Sequence, residues 1–177
     1  MTERRIAGEA RFIVGTGRCG STILSKMIDR HPGVAVLSEF MISLDFYGKF
    51  GERPVSGDEL ERLLDCGLES TGEMKKIVTH LATPEITFDA AAAPAPVDAS
   101  HYRDGVLPDL VLLPLGPLFD DPPKVFDEIL AFARRQPTRL LSEQYEALFG
   151  WVTQRAGKTI WIERSGGSIA SLPELVE

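Results

Sequence analysis

Apolar residues in this chain fall into two patterns, and their spacing separates strands from helices. Phe12-Ile13-Val14, Val34-Ala35-Val36-Leu37 and Thr159-Ile160-Trp161-Ile162 are short, nearly continuous runs, as in strands buried on both faces of a parallel sheet. Ile23, Leu24, Met27 and Ile28 instead recur at helical spacing and predict a first helix ending near Arg30, where His31-Pro32-Gly33 supplies a stop. Ser56-Gly57-Asp58-Glu59 opens a second helix, carried by Leu60, Leu63 and Leu64 to Cys66-Gly67. Met74, Ile77, Val78 and Leu81 give a third over 72–81. Pro123 opens a fourth over 124–135, with Val125, Phe126, Ile129, Leu130 and Phe132 apolar and Pro137 closing it. Ser142-Glu143-Gln144-Tyr145 starts a fifth, whose face of Tyr145, Leu148, Phe149 and Val152 runs to Arg155 before Gly157. Ser168 is placed to cap a last short helix over 169–176.

Strands alternating with helices predict an α/β domain, a three-layer sandwich on a parallel sheet, since a strand, helix, strand unit crosses over right-handed and leaves its strands parallel. The segment 83–123 breaks this rhythm. It carries the run Ala90-Ala91-Ala92-Ala93-Pro94-Ala95-Pro96 and further prolines at 84, 108, 114, 117, 122 and 123, which exclude a long helix or a central strand. It reads either as a loop shaping a binding pocket or as a linker. Phe46, Tyr47 and Phe50, in the stretch 41–51 that also holds Gly48 and Gly51, either line such a pocket or pack in the core.

The chain has 177 residues, 44% hydrophobic and 25% charged, which suits one globular domain with a sizeable core. A net charge of −7, from 19 Lys and Arg against 26 Asp and Glu, argues against a nucleic-acid or anionic-membrane surface. Any anionic ligand must then be held by local basic groups. Cys19 and Cys66 make no disulfide framework, and no metal-ligand spacing surrounds His31, His80 and His101, so a reducing cytoplasm is the expected setting and no metal is expected. The charged start Met1-Thr2-Glu3-Arg4-Arg5 and the proline-broken apolar region 106–119 predict neither a signal peptide nor a membrane span.

One stretch dictates chemistry. After the first strand, glycines at 15, 17 and 20 form a P-loop-like strand-loop-helix turn whose backbone N–H groups converge at the positive end of the first helix, a site for phosphate or sulfate. Gly15-x-x-x-x-Gly20 followed by Ser21-Thr22 nearly matches the nucleotide-binding pattern, but Ser21 stands where that pattern has lysine, which disfavours an NTPase or nucleotide kinase. The cation stands inside the turn as Arg18, and Ser21 and Thr22 add hydroxyl donors. A thiol at a helix N-terminus could be a phosphatase-type nucleophile, but those loops end with Arg after the Cys and here Arg18 precedes Cys19, which reads as small filler. The alternative is a glycine-rich connection with no ligand. At the carboxyl ends of the next strands lie Ser38-Glu39 and Glu163-Arg164-Ser165-Gly166-Gly167-Ser168, on the same crevice if the strands are parallel. Glu39 is then the candidate general base, or else a surface or capping carboxylate.

Arg18-Cys19-Gly20-Ser21-Thr22 resembles the 5′-phosphosulfate loop of sulfotransferases that use 3′-phosphoadenosine 5′-phosphosulfate. The order His31-Pro32, then Ser38-Glu39, is similar to the carbohydrate branch, in which a glutamate after the second strand takes the acceptor proton, and Arg164-Ser165 resembles the family's strand-ending cation and hydroxyl. The resemblance implies a sulfonate transferase acting without a metal on a hydroxyl or amine of a small-molecule, lipid or carbohydrate acceptor. It implies that Gly17, Arg18, Cys19, Gly20, Ser21, Thr22 and Ser165 bind the co-substrate, and that Arg18, Glu39 and Arg164 carry the chemistry. The family's 3′-phosphate motif finds no match, so 1–177 is expected to be the N-terminal part of a single such domain, with 83–123 inserted and the sheet incomplete. An unpaired strand edge and exposed apolar surface would follow, and with them self-association or a companion C-terminal fragment. The alternative from a different class is a non-catalytic anion-binding fragment.

Overall fold

The computed structural model describes residues 11–16, 19–44, 53–65, 108–166 and 168–171. The predicted helix over 72–81, Phe46, Tyr47 and Phe50, the segment 83–107 and the end of the predicted helix over 169–176 lie outside these residues.

The described chain is mixed helix and strand around a small parallel sheet. Helix α1 (Ser21–Asp29) leads to strand β1 (Val34–Ser38), which pairs in parallel with the last strand, labelled β4 (Ile160–Arg164). Val34 opposes Ile160, Val36 opposes Ile162 and Ser38 opposes Arg164. The ladder starts at Gly33, whose carbonyl accepts from Thr159 N–H at 2.9 Å and Ile160 N–H at 3.0 Å. On the other side of β4, Phe12 forms a parallel bridge to Glu163: Ile13 N–H donates to the Glu163 carbonyl and Glu163 N–H to the Arg11 carbonyl, both at 2.9 Å. β4 therefore lies between segment 11–14 and β1, so the first two strand runs of the sequence do not neighbour each other.

Two elements escape the apolar pattern. Strand β2 (Pro54–Val55) pairs antiparallel with β3 (Arg139–Leu140), a two-residue ladder whose proline edge gives no strand signal. The buried Gln144 ties it down, its amide donating to the Val55 carbonyl at 2.8 Å and the Pro137 carbonyl at 2.9 Å. Residues 108–119, expected to be irregular, instead carry a helical stretch that widens to a π-helical turn (Val111–Leu115) around Pro114. Proline bars a long α-helix, but a short turn tolerates its missing N–H. Leu110, Val111, Leu113 and Leu115 are buried, so this end of the proline-rich region is core rather than pocket wall or linker.

Helices α2 (Gly57–Asp65), α3 (Pro122–Arg134) and α4 (Leu141–Arg155) complete the packing. α3 is capped by Asp121, whose carboxylate accepts from Lys124 N–H at 3.2 Å, and α4 begins with Glu143 accepting from Leu140 N–H at 2.9 Å. α2 meets the C-terminal end of α3 at Gly57, where a Cβ would lie 2.6 Å from the Arg134 carbonyl, so only glycine permits the approach. A line of aromatic contacts joins α4 to the sheet: Phe40 to Phe149 at 4.8 Å, Phe149 to Trp161 at 4.9 Å and Trp161 to Phe12 at 5.9 Å between ring centres.

α1 departs from the expected amphipathic packing. Its one buried residue is Ser25, whereas Ile23, Leu24 and Met27 are 53%, 47% and 66% exposed. Helical spacing thus marked the helix correctly but not the face turned to the strands.

Asp109 is buried with neither carboxylate oxygen hydrogen-bonded, and burial pushes its carboxyl up from 3.8 to about 6. Because the folded state holds this proton more tightly than the unfolded chain, stability is greatest below about pH 4 for this group and is lost as pH rises through about 6. Asp109→Asn is expected to raise stability by roughly 1–3 kcal/mol at about pH 8 and to change it little near pH 4. Thermal unfolding at the two pH values checks this, and an equal effect at both would contradict it.

Candidate functional site

Because segment 11–14, β1 and β4 run parallel, their carboxyl ends emerge at one edge of the sheet, where Glu39, Arg164 and the described loop residues lie. Of the loop, Gly17 and Arg18 lie outside the described residues. Gly20 adopts a left-handed φ of 86° that glycine accepts without strain, and its carbonyl receives the N–H groups of Ile23 and Leu24 at 3.0 and 3.1 Å. The α1 N-terminus, with Ser21 and Thr22, therefore opens directly onto the loop.

Cys19 is exposed, and Ser21 donates to its sulfur from both the backbone N–H and the hydroxyl, which holds the thiol below its usual range. Its Sγ sits 2.6 Å from where a Gly15 Cβ would be, so the sulfur packs on Gly15 in the space a side chain would fill. An open depression of about 370 Å³ lies over this turn, bordered by Gly15, Thr16, Cys19, Ser21, Leu24 and Ile169.

The second half of the site is built from Glu39 and Arg164, both almost fully buried and joined as an ion pair through Oε1 and Nη1. Every polar group of Glu39 is engaged. Its N–H donates to the Arg164 carbonyl at 2.6 Å, its carbonyl accepts from Ser43 N–H at 3.0 Å and the Ser43 hydroxyl at 2.6 Å, and its Oε2 accepts from Gly166 N–H at 2.8 Å. To make these bonds Glu39 holds φ at 57°, a left-handed conformation costing a non-glycine residue about 1 kcal/mol. A buried pair of this kind costs about 3–5 kcal/mol to break by removing one partner. Arg164 Nε, also buried, has no hydrogen-bond partner among the described residues.

The turn after β4 links the two halves. Gly166 reaches Glu39, and two residues later the Ser168 hydroxyl accepts from Gly15 N–H at 3.3 Å while Ile169 N–H donates to the Gly15 carbonyl at 3.4 Å. Glu39, Arg164 and the described loop residues thus share one connected edge. His31 is a turn residue, its Nδ1 accepting from Gly33 N–H at 3.1 Å. Ser168 lies at the start of a short 3₁₀ turn (Ser168–Ser171) and bonds to the loop.

Sequence reasoning missed Glu163. Reading the last strand as 159–162 left this residue in a polar loop, whereas β4 extends to Arg164 and buries Glu163 to 1% exposure. The alternation Trp161, Glu163 along a strand was the available signal. One carboxylate oxygen, Oε1, accepts from Met41 N–H at 3.1 Å and from the Ser165 hydroxyl. Burial, reinforced by the nearby Glu39 charge and opposed by Ser165, Met41 and Arg164, pushes the carboxyl up to about 7.

Among the described residues, no group of three or more His, Cys, Asp and Glu is arranged to hold a metal, and no helix is long and apolar enough to cross a membrane. Comparison of the chain with known protein families, curated proteins and solved structures finds no match.

Proposed function

We propose that the chain carries the loop and strand-end residues of a sulfotransferase using 3′-phosphoadenosine 5′-phosphosulfate, with a hydroxyl or amine as acceptor. The observation that carries this reading is the buried Glu39–Arg164 pair at the sheet edge shared with the described loop residues: a carboxylate held against a guanidinium whose Nε–H has no acceptor among the described residues. In the proposed reaction the acceptor oxygen bonds to sulfur as the bond from sulfur to the 5′-phosphate oxygen breaks, and the electron pair leaves on the bisphosphate. Glu39 receives the acceptor proton, and the Arg164 charge shifts from Glu39 toward the sulfonate oxygens as that proton arrives. Arg18, the amides of residues 19–22 and the Ser21 and Thr22 hydroxyls would hold the phosphosulfate, with Ser165 beside them. The donors named here would serve the phosphosulfate end of the co-substrate, and the chemistry asks for positioning and charge stabilisation alone.

A second reading, a non-catalytic anion-binding fragment of the same fold, is favoured by the saturation of Glu39, whose two carboxylate oxygens are both occupied. A nucleotide kinase or NTPase is opposed by Ser21 in the lysine position.

Calorimetry with 3′-phosphoadenosine 5′-phosphate, Mg-ATP and sulfate tests these readings. Micromolar binding of the bisphosphate, weakened on the order of a hundred-fold in Arg18→Ala, is the expected outcome. Preference for Mg-ATP, or full affinity in Arg18→Ala, would sink the loop assignment. The partner expectation belongs to the same proposal: Ile23, Leu24 and Met27 are available to a second copy or a companion fragment. Light scattering is expected to give a mass above that of one chain, and a monomer at high concentration would count against it.

A further inference from the structure

Glu163 sits where its side chain reaches both the turn after β1 and the turn after β4. Its backbone belongs to the central strand, bonded through N–H and carbonyl to segment 11–13. Its side-chain Oε1 accepts from Met41 N–H, two residues beyond Glu39, and from the Ser165 hydroxyl, one residue beyond Arg164. Arg164 projects from the opposite face of the same strand onto Glu39. The two turns are therefore laced twice, once by the Glu39–Arg164 pair and once through Glu163, with the charged groups acting on Glu163 being Glu39 from the turn after β1 and Arg164 from β4 itself.

We propose that Glu163 is a positioning residue for the Glu39–Arg164 pair, and that loss of its proton loosens that pair. With Glu163 neutral, Arg164 has one buried anion to answer, and Oε1 fixes the spacing of the two turns. Loss of the proton to solvent puts a second negative charge inside the same small volume. That charge repels Glu39 and competes for the Arg164 guanidinium, so Gly166 N–H and Glu39 Oε2 lose their fixed geometry. Burial and the Glu39 charge place this change near pH 7. The inference rests on the reading of Glu39 and Arg164 as a functional site, but it concerns the protein's own groups and needs no ligand.

The test is an amide NMR titration of the full chain between about pH 5.5 and 8.5. The Met41 and Gly166 amides are expected to shift together with a midpoint near 7. In Glu163→Gln the side-chain carbonyl still accepts from Met41 and Ser165, and both amides are expected to stay flat. In Ser165→Ala, which removes a donor that favours the ionised carboxylate, the midpoint is expected to rise. Any of three results would overturn the proposal: the same titration in Glu163→Gln, a Met41 shift with Gly166 unmoved, or an unchanged midpoint in Ser165→Ala. Failure of bisphosphate binding would not alter these amide shifts, so the two readings fail separately.

Discussion

The placement of β4 between segment 11–14 and β1 is the constraint on which the rest of the structure depends. β1 and segment 11–14 each pair with β4 across more than a hundred residues of chain, and the helices α2, α3 and α4 are the packing that makes this closure worthwhile. Once the three runs are parallel, their carboxyl ends share an edge by geometry alone. Glu39 and Gly15 then both become neighbours of the turn after β4, through Gly166 and Ser168, although more than a hundred residues separate that turn from either of them along the chain. The aromatic line from Phe149 through Trp161 to Phe12 fastens the same strands from the helix side.

Three buried carboxylates show how differently that interior treats charge. Glu39 is compensated on both oxygens, by a guanidinium and an amide. Glu163 has hydrogen-bond donors but no cation of its own, and burial wins over them. Asp109 has no hydrogen-bond partner among the described residues. Isolated burial of charge costs several kcal/mol, so the hydrogen bonds around Glu39 and Glu163 fix the positions of the turns that supply them. The left-handed backbone of Glu39 fits this picture, because relaxing it would uncouple the carboxylate from both Arg164 and Gly166.

Continuous apolar runs and proline or glycine stops made β1, β4, α3 and α4 readable to within a few residues, because burial on both strand faces and capping are written locally. Strand order was not readable, since nothing in Ile160-Trp161-Ile162 says which strand it joins. β2 and β3 were invisible because a two-residue ladder containing Pro54 carries no periodicity. At the candidate site, Glu39, Arg164 and the glycine turn were singled out through residue type and position after strands, and the structure brings Glu39 and Arg164 together at the end of β4. Glu163 was hidden by a boundary error of two residues, enough to turn a buried strand position into an apparent loop. The exposed Ile23, Leu24 and Met27 show the converse, a helical apolar pattern whose face the described structure leaves open.

The central claim is that the strand ends form one anion site, and mapping amide shifts on adding 3′-phosphoadenosine 5′-phosphate tests it most directly. The largest changes are expected at Cys19 to Thr22 and at Gly166, with α2 and α3 unmoved. Changes clustered away from the sheet edge, or none at saturating bisphosphate, would contradict it.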